Sequence, residues 1–261
     1  MTSNVPYKGQ AGEANQLSPA VWANIPLRNC LDLTGGCGQL AKSLNIGTAA
    51  AGVIDVASGG DLICAEGSST TAINAAEFGT KFTPQAAGHF VLGGMEPQID
   101  ISAATRWACE ISLENATAAN HGMFFGLVSF ADAGAAITTT GNVIHKTTSA
   151  LVTTQSQVGF YKLEGAATVE AILKKDGVAA VDRVVHSDDC DTLVATEFSK
   201  WGMNSDGRNI RFYVDGVQTG LDLPIDNTGL PAESDLVFVF AFTADNTTAF
   251  TIKHYAYAEA K

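Results

Sequence analysis

The sequence predicts an all-β chain, with two antiparallel sheets packed face to face as a jelly-roll sandwich. Three observations point there. From about Gly47 onward, strand-sized apolar units recur between clusters of turn residues. Two Asp-Gly pairs, Asp176-Gly177 and Asp215-Gly216, stand between extended stretches as hairpin signals. No convincing amphipathic helix of ordinary length interrupts this pattern, and no repeat of fixed period organises it. Each sheet must hide one face, so this many short strands need a second sheet to pack against.

Residues 1–46 read as an N-terminal arm and residues 47–261 as the jelly-roll domain. The arm carries Pro6, Pro19 and Pro26 and a polar stretch from Gln10 to Gln16. Within it, Ser18-Pro19-Ala20-Val21-Trp22-Ala23-Asn24 reads as one helical turn, with Ser18 as its cap and Pro19 at the first helical position. Such a segment buries too little alone, so it is expected to pack on a neighbour or on its own domain.

The domain then follows strand by strand. Val53 to Val56 ends at Ser58-Gly59-Gly60-Asp61, Leu62-Ile63-Cys64 at Glu66-Gly67-Ser68-Ser69, and His89 to Leu92 at Gly93-Gly94. Arg106 to Glu114 alternates strictly: Trp107, Cys109, Ile111 and Leu113 point one way, Ala108, Glu110, Ser112 and Glu114 the other. Gly122 to Phe130 is apolar throughout, as expected of a strand buried on both faces. Gln157 to Leu163 turns at Glu164-Gly165, and Val169 to Lys175 turns at Asp176-Gly177, with Val178 to Val185 returning. Asn209 to Val214 turns at Asp215-Gly216 into Val217-Gln218-Thr219. Leu236 to Thr243 is again wholly apolar, and Ala249 to Tyr257 closes the chain.

Composition narrows the function. Hydrophobic residues make up 46% of the 261 and charged residues 16%, enough for a core and too few charges for a disordered chain. A net charge of -12 repels phosphate backbones and anionic bilayers, so neither nucleic acid nor membrane is an expected partner. The five cysteines (Cys30, Cys37, Cys64, Cys109, Cys190) are odd in number and form no CxxC pair, which reads as reduced, mostly buried thiols. Met1-Thr2-Ser3-Asn4-Val5-Pro6-Tyr7-Lys8 lacks the order of a signal peptide, and no apolar run reaches membrane-spanning length. A chain made and kept soluble in the cytoplasm is the expectation.

Three local patterns carry a resemblance. Gln157 to Gly165 resembles a Val-Gly-Phe strand followed by its turn, Glu197 to Met203 the strand before a hairpin, and Asn209 to Val217 the Phe-Tyr-Val-Asp-Gly hairpin of concanavalin-like and laminin-G-like jelly rolls. Phe250 to Tyr257 is similar to the closing strand of that fold. Over residues 100–261 the set resembles head decoration or cement proteins of tailed bacteriophages. The resemblance implies a virion structural protein on the outer capsid surface, made in the host bacterial cytoplasm. Its partners would be the major capsid protein and further copies of itself, as a dimer or trimer. A lectin-like carbohydrate-binding module of a phage fibre or head is the alternative, with weak glycan binding. A glycoside hydrolase is the remote one.

No catalytic residue, cofactor or metal is assigned from the sequence. Glu110-Ile111-Ser112-Leu113-Glu114 approaches the Glu-x-Asp-x-Glu strand of retaining glucanases, but Ser112 stands where the central Asp belongs, so a solvated polar face is expected instead. Asp188-Asp189-Cys190-Asp191 groups oxygen ligands without the spacing of a calcium loop and reads as an acidic surface turn. Thr34-Gly35-Gly36-Cys37-Gly38 lacks the Gly-Lys-Ser/Thr ending of a phosphate loop. His89, His121, His145, His186 and His254 are scattered, and no Gly-x-Ser-x-Gly elbow occurs. Of the paired aromatics Phe124-Phe125, Phe160-Tyr161 and Phe212-Tyr213, one of each pair must face away from the main core, toward a second layer, an oligomer contact or a carbohydrate platform. The arm is expected to carry the binding role.

Overall fold

The computed structural model describes residues 17–23, 30–31, 53–54, 62–65, 67–71, 80–84, 89–94, 99–101, 103–114, 121–129, 141, 143–194, 197–232, 235–244 and 250–260. Side chains of the strands between residues 30 and 94, and most of those in 250–260, lie outside the description. In chain order the strands are β1 (Cys30–Leu31), β2 (Val53–Ile54), β3 (Leu62–Ala65), β4 (Gly67–Thr71), β5 (Thr80–Pro84), β6 (His89–Gly94), β7 (Arg106–Glu114), β8 (His121–Ser129), β9 (Gln157–Lys162), β10 (Thr168–Lys174), β11 (Val184–Thr192), β12 (Phe198–Asp206), β13 (Asn209–Val214), β14 (Val217–Pro224), β15 (Leu236–Ala244) and β16 (Phe250–Ala260).

These form two antiparallel sheets, the expected jelly-roll sandwich. The first runs β14-β13-β12-β7-β16-β5-β4, with β1 also paired to β16; the second runs β11-β10-β9-β8-β15-β6-β3-β2. The chain crosses between them repeatedly. From β7 it passes to the second sheet for β8 to β11, returns for β12 to β14, crosses for β15 and closes with β16. The core lies where the alternation of β7 places it. Trp107, Cys109, Ile111 and Leu113 meet Trp201, Met203, Ile210 and Phe212 of their own sheet, and Phe125, Phe160, Phe238, Phe240 and Phe242 of the other.

Both outer faces are also covered over part of their area. On the second sheet, Val143, Ile144 and Leu151 from the β8–β9 connection pack on Phe124, Val128, Tyr161, Ile172, Val237 and Val239. This is why β8 is buried along its whole length and why β15 reads as continuously apolar. Polar anchors hold the cover down: Tyr161 Oη donates to the Ser149 carbonyl at 2.9 Å, and Gln157 Nε2 to the Val143 carbonyl at 2.7 Å.

Three local expectations change. Asp176-Gly177 does not close a tight hairpin. The Gly177 amide donates to Thr153 O at 2.9 Å and the Asp176 amide to Ser156 Oγ at 2.9 Å, so the turn is tied to the preceding loop. The chain then runs through a 3-10 turn at Ala180–Asp182, and the return strand is Val184–Thr192, not residues 178–185. Asp188-Asp189-Cys190-Asp191 therefore belongs to an edge strand, where outward carboxylates stay solvated and discourage further pairing. Gly67-Ser68-Ser69 starts β4 and does not end a turn, because its backbone pairs with β5.

Candidate functional site

The outer face of the first sheet is where segment 17–23, from the stretch read as an arm and called the arm below, meets the alternating polar residues. In β7, β12 and β13, the residues whose neighbours point into the core point outward: Arg106, Ala108, Glu110 and Ser112, then Gly202 and Asn204, then Arg211 and Tyr213. The arm segment 17–23 lies across them. Val21 and Trp22 pack on Ala108 and Tyr213, with Leu17 beside them. Its turn is a single one: the Val21 and Trp22 amides both donate to the Ser18 carbonyl, at 3.0 and 3.2 Å. Ser18 Oγ has no hydrogen-bond partner among the described residues, so the expected side-chain cap is not formed.

What holds Ser18 is Glu110. The Ser18 amide donates to both carboxylate oxygens, at 3.2 and 3.0 Å, and Glu110 is 1% exposed. Asn204 holds the turn further along: its Nδ2 donates to the Ala20 and Val21 carbonyls at 3.2 and 2.8 Å. Gly202 makes the approach possible, since a Cβ there would stand 2.5 Å from Val21 Cγ2. The solvated polar face expected for Glu110 and Ser112 is thus a buried one, both residues being at most 1% exposed. The arm replaced water as the partner of the carboxylate.

At the edge of the docked turn a polar cleft of about 200 Å³ remains open, lined by Ala20, Ala23, Arg106, Asn204, Ser205, Asp206, Arg211 and Tyr213. Two of its charged groups, Asp206 and Arg211, are held in place. Arg211 forms a forked pair with Asp222 at 2.9 and 2.7 Å and reaches Asp206 at 2.8 Å. The guanidinium holds the Asp222 carboxyl below its ordinary range. Burial works to raise Asp206, but the Asn209 and Arg208 amides and the Arg211 guanidinium outweigh it, so this carboxyl too is lowered. Ser205 donates to the Thr105 carbonyl at 3.3 Å, which fixes the corner of the cleft.

Glu110, Ser112 and the outward aromatic Tyr213 are named by the sequence as candidates here; Arg106, Asn204, Asp206 and Arg211 are not. Period-two spacing puts these on one face, which is a usable signal. It does not show that the arm returns to that face.

The other candidates separate. Asp191 accepts from Trp201 Nε1 at 2.8 Å, whereas Asp188 and Asp189 are exposed; among the described residues no three His, Cys, Asp or Glu side chains converge as metal ligands. Residues 34–38, Cys30, Cys37 and Cys64, and the side chains of Glu114, His89 and His254, lie outside the described residues or side chains. His121 stacks on Phe242 at 5.2 Å, His186 pairs through Nε2 with the Leu221 carbonyl at 2.9 Å, and exposed His145 contacts Thr147. Burial pushes the Cys109 thiol well above its ordinary range, and Cys190 Sγ donates to Ser187 O at 3.3 Å. The paired aromatics resolve into two layers. Phe125, Phe160 and Phe212 face the core; Phe124 and Tyr161 lie under the β8–β9 cover, and Tyr213 lies under the arm.

No protein-family model and no curated protein matches the chain. Solved structures do. The carbohydrate recognition domain of Emp47p superposes with a TM-score of 0.52 at 11% identity, covering 84% of this chain and 94% of that one. The potassium-bound carbohydrate recognition domain of Emp46p gives 0.51 at 10% identity, over 76% and 88%. A carbohydrate esterase from the Shiga toxin-encoding bacteriophage phi24B gives 0.44 at 14%, over 77% and 91%. At these identities the first two likenesses establish the fold alone: the chain is an all-β, concanavalin-like jelly-roll sandwich.

Proposed function

We propose that the chain is a non-catalytic carbohydrate-recognition module. The observation that carries this reading is the polar cleft beside the docked arm, whose polar lining suits sugar hydroxyls. On the same sheet face, Glu110 of the glucanase-like strand is engaged by the arm backbone and shielded from water. A nucleophile or acid in that state has no access to a glycosidic bond. The fold shared with the Emp47p and Emp46p carbohydrate recognition domains supports the same reading by analogy. A glycan array on the full chain, with a reducing-sugar assay on β-glucans, tests it. Glycan binding without sugar release is expected, and Glu110→Gln should leave the hydrolysis background unchanged. Release that disappears in Glu110→Gln would overturn the non-catalytic part, and an array without hits at millimolar sensitivity the carbohydrate part.

A second reading, the capsid decoration or cement subunit implied by the phage resemblance, draws on a different surface. Val181, Val217 and Leu221 are 82%, 71% and 81% exposed and lie at or next to the edge strands β11 and β14. The two edges meet there, with Ser187 Oγ 3.3 Å from Thr219 Oγ1. Exposed apolar residues clustered beside these strand edges suit a protein partner, either the major capsid protein or another copy. Under this reading the chain co-purifies with intact heads, and heads stripped of it lose resistance to heat and osmotic shock. Unchanged resistance of stripped heads sinks it.

A further inference from the structure

Asn204, on β12, holds the arm and lines the cleft at once. Both amide hydrogens are spent on the Ala20 and Val21 carbonyls, which fixes which way the side chain faces. Its Oδ1 is then left buried with no hydrogen-bond partner among the described residues, in a side chain that lines the cleft and is only 6% exposed. An orphaned buried acceptor is costly, and a ligand donor that reaches it relieves that cost.

We propose that Asn204, Arg106 and the docked turn 17–23 together form the sugar-binding site, so that ligand binding and arm docking are one linked equilibrium. The inference rests on the carbohydrate reading and assigns its site and its control. One sugar hydroxyl donates to Asn204 Oδ1, and a neighbouring hydroxyl accepts from the Arg106 guanidinium. The Ala20 and Ala23 methyls of the arm form the apolar wall on which the ring rests. The ligand is neutral. Arg211 is already balanced by Asp206 and Asp222, and a chain of net charge -12 repels anionic sugars. Oδ1 itself is closed off from solvent in the docked state, so on this proposal the turn shifts to admit the hydroxyl and closes again on the ring. A ligand that needs the turn in place stabilises the docked arm, and an undocked arm weakens the ligand by the same factor.

Titration calorimetry on the full chain tests this, with glucose, galactose, mannose, N-acetylglucosamine and their common disaccharides as probes. Two variants separate the roles. Arg106→Ala alters the cleft and leaves the arm contacts in place. Val21→Asp puts a charge where the arm is 0% exposed and undocks it without touching the sheet. For the best-binding probe, each variant should weaken affinity about tenfold, the loss expected of one charge-assisted hydrogen bond or its equivalent. Near-ultraviolet circular dichroism confirms that each variant keeps the sandwich. If the wild-type chain binds and either variant binds equally well, the linked site is overturned while carbohydrate recognition stands. Tighter binding by Val21→Asp overturns it too, by making the arm a cover. If the wild-type chain binds none of the probes and no glycan on the array, the carbohydrate reading itself has failed.

Discussion

Lys162 ends β9 with a fully buried side chain whose Nζ donates to the His121 carbonyl at 2.6 Å and to the Leu163 carbonyl at 3.4 Å. Burial pushes its pKa down to about 8, with Glu164 acting weakly the other way. The sign for stability follows from proton counts. An unfolded lysine titrates near 10.4, so between about 8 and about 10.4 the unfolded chain holds a proton that the folded chain has lost. Folding is therefore favoured as pH rises through that window, and the charged form is penalised below it. Lys174 is lowered by burial in the same direction, with its Nζ on the Gln155 and Lys175 carbonyls at 2.8 and 3.1 Å. Lys162→Met removes one of the two contributions. Urea midpoints measured across the alkaline range should show the stability of wild type relative to Lys162→Met rising above about pH 8. A difference that stays flat with pH would mean that the ammonium is not desolvated.

The β13–β14 hairpin shows what one element demands of its sequence. Its two turn residues both have positive φ, 50° at Asp215 and 79° at Gly216. That is the mirror-image turn which matches strand twist and which Asp-Gly suits. Asp215 adds side-chain and backbone ties, accepting the Lys200 amide at 3.0 Å while its own amide donates to Lys200 O at 2.8 Å. Gly216→Val would force a β-branched residue into this conformation, at a cost of about 1–3 kcal/mol. Equilibrium urea unfolding measures it, and a loss much smaller than that would show the turn relaxing to another type. The Asp176-Gly177 pair looks the same on paper and behaves differently. There the Val178 amide still closes on the Lys175 carbonyl at 3.3 Å, but only Gly177 has positive φ (71°), so the turn is not the mirror-image type and no strand returns directly from it.

Across the whole molecule the two sheets are joined most visibly at Trp201. It stacks on Phe160 of the opposite sheet with ring centroids 5.8 Å apart, and its indole N–H donates to Asp191 on β11. Trp201→Phe keeps the stacking ring and strips Asp191 of its donor, a loss of about 1–3 kcal/mol; Trp201→Ala adds a cavity and should cost about 3–5 kcal/mol. Denaturant midpoints for the two variants separate the hydrogen bond from the packing. A Trp201→Phe loss near zero would show that Asp191 finds another donor, and equal losses that the ring packing adds nothing to the hydrogen bond.

The strands themselves were legible because their causes are local. Alternation in Arg106 to Glu114, apolar runs at Gly122 to Phe130 and Leu236 to Thr243, and the Asp215-Gly216 turn each act within a few residues. Together they determine an all-β chain with a buried core. The short polar strand Gly67–Thr71 was not legible, because its pairing with β5 and not its composition makes it a strand. The site was legible only by half. Period two assigns Glu110, Asn204, Arg211 and Tyr213 to one side of their strands, and composition alone leaves that side facing water. Only the tertiary structure brings Ser18 to Glu110, 92 positions away, and Ala20 to Asn204, 184 positions away. Contacts that distant are decided by which surface remains unsatisfied once the sheets have formed, and no local pattern encodes that. The sequence by itself thus determined the sandwich, and the folded chain decided that its outer face is an arm-walled cleft and not an open carboxylate strand.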